Sequence, residues 1–249
     1  MSNVRHSDKP SVRGYAVTHP PGRAVLPIED GWDQLLYTAR GTMTVASGAG
    51  SWTIPPRRAL WIPGGEPVEI VNRFPVAVRT LYFATALRAL PPGARMIDVT
   101  GLVRELLLYA VRTAPLHSDD RLDRALLHLL VDQLHRAPDA ALWLPSPAAS
   151  DAARAAARLI TDRPGMPLPE VARAVGASRR TLERAFLSET GTTLGAWRRR
   201  SRILGSLDYL AAGMSVTRTA PAVGYTTPSA FVTAFTAELG TSPGRYLRR

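Results

Sequence analysis

Arg179, Arg180, Glu183 and Arg184 stand within six residues of one another. At 3.6 residues per turn they share one side of a helix, and Leu182, Ala185 and Phe186 take the other. A guanidinium fork suits phosphate oxygens and the edge of guanine, where it makes two parallel hydrogen bonds. The chemistry open to such a face is recognition of a polyanion. A solvated surface face is the plainer alternative. Arg198, Arg199, Arg200 and Arg202 follow closely and are placed to meet phosphates. Bond-making groups are sparse. The chain has no cysteine, which excludes disulfides, thiolate metal sites and a cysteine nucleophile. The five histidines, at positions 6, 19, 117, 128 and 135, show no metal-ligand spacing in the strand-rich region. His128 and His135 lie seven apart on a leucine-rich helix and read as surface or interface residues.

The elements that carry the arginine face come as a repeated unit. Leu168 to Val175 makes a short helix with Val171, Ala172 and Val175 inward. Gly176-Ala177-Ser178 makes a turn, with Ser178 able to cap the helix Arg179 to Thr190. Ala174-Val175-Gly176 recurs as Ala222-Val223-Gly224. Phe186, Glu189, Gly191, Gly195 and Trp197 recur as Phe235, Glu238, Gly240, Gly244 and Tyr246 at a constant offset of 49. Two copies of one supersecondary unit follow. Helix, glycine turn and helix, with one apolar and one polar face, is the plan of a major-groove reader. Between the copies, Leu194 to Ala211 predicts a helix of roughly 27 Å, close to one turn of B-DNA at about 34 Å.

Charge supports that division. The 249 residues carry 31 basic and 20 acidic groups, net +11, and all the cations except Lys9 are Arg. Residues 1–145 hold 16 basic and 13 acidic groups, and residues 146–249 hold 15 and 7. The excess in the C-terminal part, +8 against +3, points to a polyanion partner there. A genome rich in G and C explains the preference for Arg over Lys equally well, but not its position. Forty-five per cent hydrophobic residues exclude wholesale disorder. The polar N-terminus shows no signal peptide, and the longest uncharged run, Thr219 to Ala237, is too polar to span a membrane. A soluble cytoplasmic protein is expected.

Residues about 12–86 read as strands: Gln34 to Tyr37, Thr42 to Ala46, Ser51 to Ile54, Ala59 to Ile62, Val68 to Val71 and Val76 to Phe83, separated by Gly and Pro. Their spacing suggests a sandwich or small barrel. Residues about 98–136 read as two helices. Leu102, Leu106 and Tyr109 line the first, and Leu122, Leu126, Leu129, Leu130 and Leu134 line a second that begins near Ser118-Asp119. Leu144 to Ser150 reads as a linker.

The stretch Leu168 to Gly191, with Trp197, Arg202 and Leu204 and with Ala222 to Tyr246, resembles the DNA-binding domain of the AraC/XylS transcription regulators. The resemblance implies base-reading positions at Arg180, Glu183 and Arg184, with Arg179 beside them. In the second copy the reading positions fall on Pro228, Ser229 and Thr233, without a cation, and Thr219 and Pro221 stand where the family has aliphatic residues. Hydroxyls bond phosphates or bases but lack the bidentate arginine–guanine contact. Gln34 to Val45, Trp52 to Gly65 and Arg79 to Phe83 resemble the cupin-like sensor domain of a subfamily. Where related sequences place metal-binding histidines this chain has Ile28, Asp30 and Val68, so no metal and no cofactor are expected. Trp32, Tyr37, Trp52, Trp61 and Tyr82 either line a ligand pocket or form core. The two helices resemble the family's dimerisation element, and packing onto their own barrel is equally open.

The expected fold is therefore α+β and multidomain. It has a cupin-like β-barrel sensor domain (12–90), a helical linker or dimerisation element (98–136) and an all-α domain with two helix-turn-helix units (150–249). The expected function is sequence-specific binding of double-stranded DNA by a non-enzymatic regulator, with a possible small-molecule effector and a possible homodimer and no membrane partner. The alternatives are a metal-dependent cupin enzyme fused to a helical domain, and a DNA-binding protein whose barrel only dimerises.

Overall fold

The computed structural model describes residues 9–26 and 29–246, so His6 and Ile28 lie outside the described residues. The N-terminal part is built of β1 (Val12–His19), β2 (Gly22–Val25), β3 (Trp32–Arg40), β4 (Met43–Ser47), β5 (Gly50–Ile54), β6 (Arg58–Ile62), β7 (Glu69–Asn72), β8 (Val76–Ala84) and β9 (Arg95–Asp98). Two helices follow, α1 (Gly101–Thr113) and α2 (Arg121–Arg136). A short strand, β10 (Trp143–Pro145), precedes the helices α3 (Asp151–Asp162), α4 (Leu168–Ala174), α5 (Arg179–Thr190), α6 (Leu194–Ala211), α7 (Val216–Ala222), α8 (Pro228–Leu239) and α9 (Pro243–Tyr246).

The strands form two five-stranded sheets, ordered β1-β8-β3-β6-β9 and β10-β5-β4-β7-β2. Neither sheet closes on itself, so two open sheets stand in place of a closed barrel, and the edge strands β1 and β9 carry only single bridges, Val12 to Leu116 and Ile97 to Asp139. The reason is visible in the ladders. β8 pairs with β1 on one side and β3 on the other, and β6 carries the sheet on to β9. No further ladder returns from β9 to β1 among the described residues.

Packing density divides the chain into two compact units: residues up to 45 with 54–141, and 46–53 with 142–249. In the first, alternation along the strands gives the sheet two faces. Leu35, Tyr37, Trp61, Leu81 and Phe83 face the helices, where they share one core with Val103, Leu107, Leu130 and Leu134. Thr100 caps α1 through its side chain. Asp120, rather than Ser118 or Asp119, caps α2, because its Oδ1 accepts from the backbone N–H groups of Leu122 and Asp123 at 2.8 and 3.0 Å. Helices α1 and α2 therefore pack onto their own sheet, while Leu102, Tyr109, Leu122 and Leu129 remain exposed.

In the second unit, the stretch expected as a linker contains β10. Trp143, Leu144 and Pro145 pair antiparallel with Trp52, Ser51 and Gly50. The core of the helices is made by Ala153, Ile160, Val171, Leu182, Phe186, Trp197, Leu204, Leu207, Ala220, Phe231 and Phe235, all buried. The repeat is structural. Helices α5 and α8 have the same length of 12 residues, are capped by Ser178 and Thr227, and end on Gly191 and Gly240, both at φ 70°. That left-handed value is the C-terminal helix stop that glycine adopts without strain.

Candidate nucleic-acid interface

The first helix pair presents a polar face because its main apolar residues turn inward, although Leu187 stays exposed. Val171 and Ala172 of α4 and Leu182 and Phe186 of α5 are buried, and Phe186 meets Trp197 edge to face at 5.2 Å. What remains outward is Arg179, Arg180, Thr181, Glu183 and Arg184, all exposed. Arg179 donates from Nε to Glu183 Oε1 at 2.8 Å, one helical turn away. That pair is solvent-exposed and contributes little to stability. Its effect is to hold Arg179 along the helix. Arg180 and Arg184 make no hydrogen bond or ion pair to other described side chains, so their forks are available to a partner.

The second pair, α7 and α8, has the same plan with different outward residues. Ser229, Thr233 and Thr236 are exposed, and Thr236 Oγ1 donates back to the carbonyl of Val232 at 2.8 Å. Helix α7 begins at Val216 and contains Pro221. Thr217 and Pro221 are both exposed, so water reaches the carbonyl that the proline leaves without an N–H. Thr219, in the place of Val171 in the first copy, is fully buried, and its Oγ1 has no hydrogen-bond partner.

The arginines at the start of α6 separate into two groups. Arg199 is exposed. The other three are half-buried or nearly so and are directed inward. Arg202 donates to the carbonyl of Pro164, with Nε at 2.8 Å, and its guanidinium lies 5.6 Å from the Tyr225 ring. Arg198 donates to the carbonyls of Pro164 and Met166. Burial lowers the pKa of both guanidiniums. Arg200 donates from Nε to the carbonyl of Trp143 at 2.8 Å and pairs with Glu238 of α8. The Pro164 carbonyl is a junction: a Cβ on Gly224, at φ 81° in the second turn, would lie 2.5 Å from it. Glycine is required there both for the turn and for the close approach.

A brace that sequence reasoning passed over runs along residues 143–150. Trp197 Nε1 donates to the Pro145 carbonyl at 2.6 Å. Glu189, at the end of α5, accepts from the backbone N–H groups of Ala149 and Ser150 at 2.8 and 3.2 Å. The repeated glutamates, Glu189 and Glu238, thus both anchor a recognition-type helix. Their recurrence at the offset of 49 was the available signal.

The five aromatics singled out in the N-terminal part do not converge. Tyr37 and Trp61 are buried against the helices. Trp52 stacks on Trp143 with ring centroids 4.0 Å apart. Trp32 and Tyr82 lie together at one end of the first sheet. Asp30 is exposed and Val68 is buried, and no group of three or more His, Cys, Asp or Glu side chains among the described residues is placed to hold a metal.

A glycine-turned helix pair that buries its apolar side and offers an arginine-rich helix defines a DNA-binding protein of the helix-turn-helix class. Residues 171–249 match a family model described as a helix-turn-helix domain. The chain is 29% identical over 220 residues to the HTH-type transcriptional regulator NimR of Escherichia coli K12, across 87% of this chain and 80% of that one. It is 28% identical over 214 residues to the HTH-type transcriptional regulator RipA of Corynebacterium glutamicum, across 85% of this chain and 61% of that one. Among solved structures, ToxT from Vibrio cholerae superimposes with a TM-score of 0.40 at 11% identity, over 96% of this chain and 98% of that one. The chain is a DNA-binding transcriptional regulator with a helix-turn-helix domain.

Proposed function

We propose that residues 150–249 read double-stranded DNA through two helix-turn-helix units, with discrimination concentrated in the first. The observation that carries this is the contrast between the repeats: exposed Arg179, Arg180 and Arg184 in one, Pro228, Ser229 and Thr233 in the other. Arg180 and Arg184 contact base edges, and Arg179 is aligned by Glu183. Ser229 and Thr233 contact phosphates or bases through hydroxyls. Of the α6 arginines, Arg199 meets phosphate, and Arg198, Arg200 and Arg202 hold the domain together. Residues 12–90 act as a cupin-like sensor domain for a small-molecule effector. The helices of 98–136 link it to the reader and supply the contact of a homodimer. The protein is cytoplasmic and non-enzymatic and uses no metal. Genome-wide mapping of bound sites, followed by titration on the recovered sequence, tests the reading. A site bound with nanomolar-range affinity and a steep loss of affinity with salt is expected. Binding that ignores sequence and salt would overturn it.

A further inference from the structure

Helix α5 leaves one large apolar side chain in solvent. Leu187 is 55% exposed, and no other large hydrophobic of residues 142–246 is exposed among the described residues. Its place on the helix is particular. At about 100° per residue, Leu187 lies about 20° from the direction of Arg180, about 60° from that of Arg184 and about 40° from that of Glu183. It therefore continues the outward stripe of those residues, one turn nearer the C-terminus. At 1.5 Å per residue it stands about 4.5 Å past Arg184 and about 10.5 Å past Arg180 along the helix axis.

The helix stop does not account for a leucine here. The Leu187 carbonyl accepts from the backbone N–H of Gly191 at 3.1 Å, which closes α5. In the second copy Thr236 stands at the matching place, 49 residues on, and its carbonyl accepts from the N–H of Gly240 at 2.9 Å. A polar residue thus serves the same stop, and an apolar one is not demanded by it. Core packing does not account for it either. Leu182 and Phe186, which fill the core from the same helix, are 1% and 0% exposed.

We propose that Leu187 reads the C5 methyl group of a thymine in the major groove, as a further specificity-determining residue of α5. The assignment rests on the DNA reading proposed above for this helix and adds one base to it. Leucine has no donor or acceptor, so it gains nothing from phosphate oxygens or from the polar base edges that suit Arg180 and Arg184. The C5 methyl of thymine is the apolar group that a base pair shows in the major groove. Contact between the two takes both out of water. The axial offset of about 10.5 Å from Arg180 corresponds to about three base-pair steps of 3.4 Å. The thymine therefore lies within about three pairs of the base that Arg180 contacts.

The test is a binding cycle on the operator duplex recovered by site mapping, with each thymine in turn replaced by deoxyuridine, which lacks only the C5 methyl. Full-length wild type, Leu187→Ala and Leu187→Met are titrated by fluorescence anisotropy at one fixed salt concentration. For wild type, deoxyuridine at one thymine beside the arginine contacts is expected to weaken binding about three- to fivefold. Leu187→Ala is expected to lose a similar factor on the unmodified duplex and to show no deoxyuridine penalty at that position. Leu187→Met keeps an apolar side chain of similar volume and should retain the penalty. Thermal midpoints close to wild type check that both variants are folded. No deoxyuridine penalty in wild type, or equal penalties in wild type and Leu187→Ala at every thymine, would overturn the assignment. So would unchanged operator affinity for Leu187→Ala with altered transcription from that operator, which would give the residue to a protein partner instead. If wild type binds an operator but no thymine couples to Leu187, this assignment alone is wrong. Absence of sequence-specific binding by wild type would take down the DNA reading itself.

Discussion

Replacing Arg199 and Arg200 separately should produce opposite failures, although the two are neighbours in an unbroken arginine run. Arg200 donates to the Trp143 carbonyl at 2.8 Å and pairs with Glu238, and the two side chains are only 25% and 19% exposed. Arg200→Met leaves a largely buried carboxylate and a carbonyl without partners. Breaking a fully buried pair costs about 3–5 kcal/mol, and partial exposure here reduces that to about 2. For a chain of this length the unfolding midpoint should fall by roughly 4–8 °C. Arg199 is exposed, so Arg199→Ala should leave stability within about 0.5 kcal/mol of wild type. If it neutralises one phosphate, the slope of log K against log salt should become shallower by about 0.9. Fluorescence anisotropy on an operator duplex between 50 and 200 mM salt, beside thermal melts, measures both quantities. A shallower slope with an unchanged midpoint for Arg200→Met would refute the reasoning, because the residue would then be a phosphate contact.

Other substitutions probe the repeat. Arg180→Ala or Arg184→Ala should each cost about 1–3 kcal/mol on the specific site and relax base preference there, with Thr233→Ala costing less in the same titration. Thr219→Val removes a buried hydroxyl without a partner and should raise stability by about 1 kcal/mol, read from a denaturant midpoint at constant slope. Pro221→Leu should stabilise the chain by well under the proline penalty of about 3 kcal/mol, because the orphaned carbonyl faces water, and thermal melts would show it. Untagged protein should carry no stoichiometric zinc, iron or manganese by elemental analysis.

The helical half was more legible than the strand half for a physical reason. Its repeat is written in residues that packing and turn geometry demand: Phe186 and Phe235 in the core, Ser178 and Thr227 as caps, Gly191 and Gly240 as stops. These local requirements leave marks at fixed spacing. The inward roles of Arg198 and Arg202 left none, and that of Arg200 only the recurrent Glu238, because their other acceptors are backbone carbonyls 32 to 57 residues away. A carbonyl has no residue identity, so an inward-facing arginine and a phosphate-facing one look alike in sequence. Strand β10 was hidden similarly: its three residues lie among prolines and alanines, and its register comes from Gly50, Ser51 and Trp52.

The same distinction explains how one scaffold carries two helix pairs with unequal outer faces. Positions that face the core vary little between the copies: Phe186 becomes Phe235, and Leu182 becomes Phe231, both buried. Outward positions vary without constraint from packing, so Arg180 and Arg184 become Ser229 and Thr233. Where an inward position does change, from Val171 to Thr219, the fold bears a buried hydroxyl with no partner. A substitution that helps recognition can therefore be made on the outer face of α5 or α8 at little structural cost. The anchoring glutamates are different. Glu189 holds the start of α3 and Glu238 holds Arg200, so a change at either is expected to disturb the seating of a whole helix rather than one outward contact.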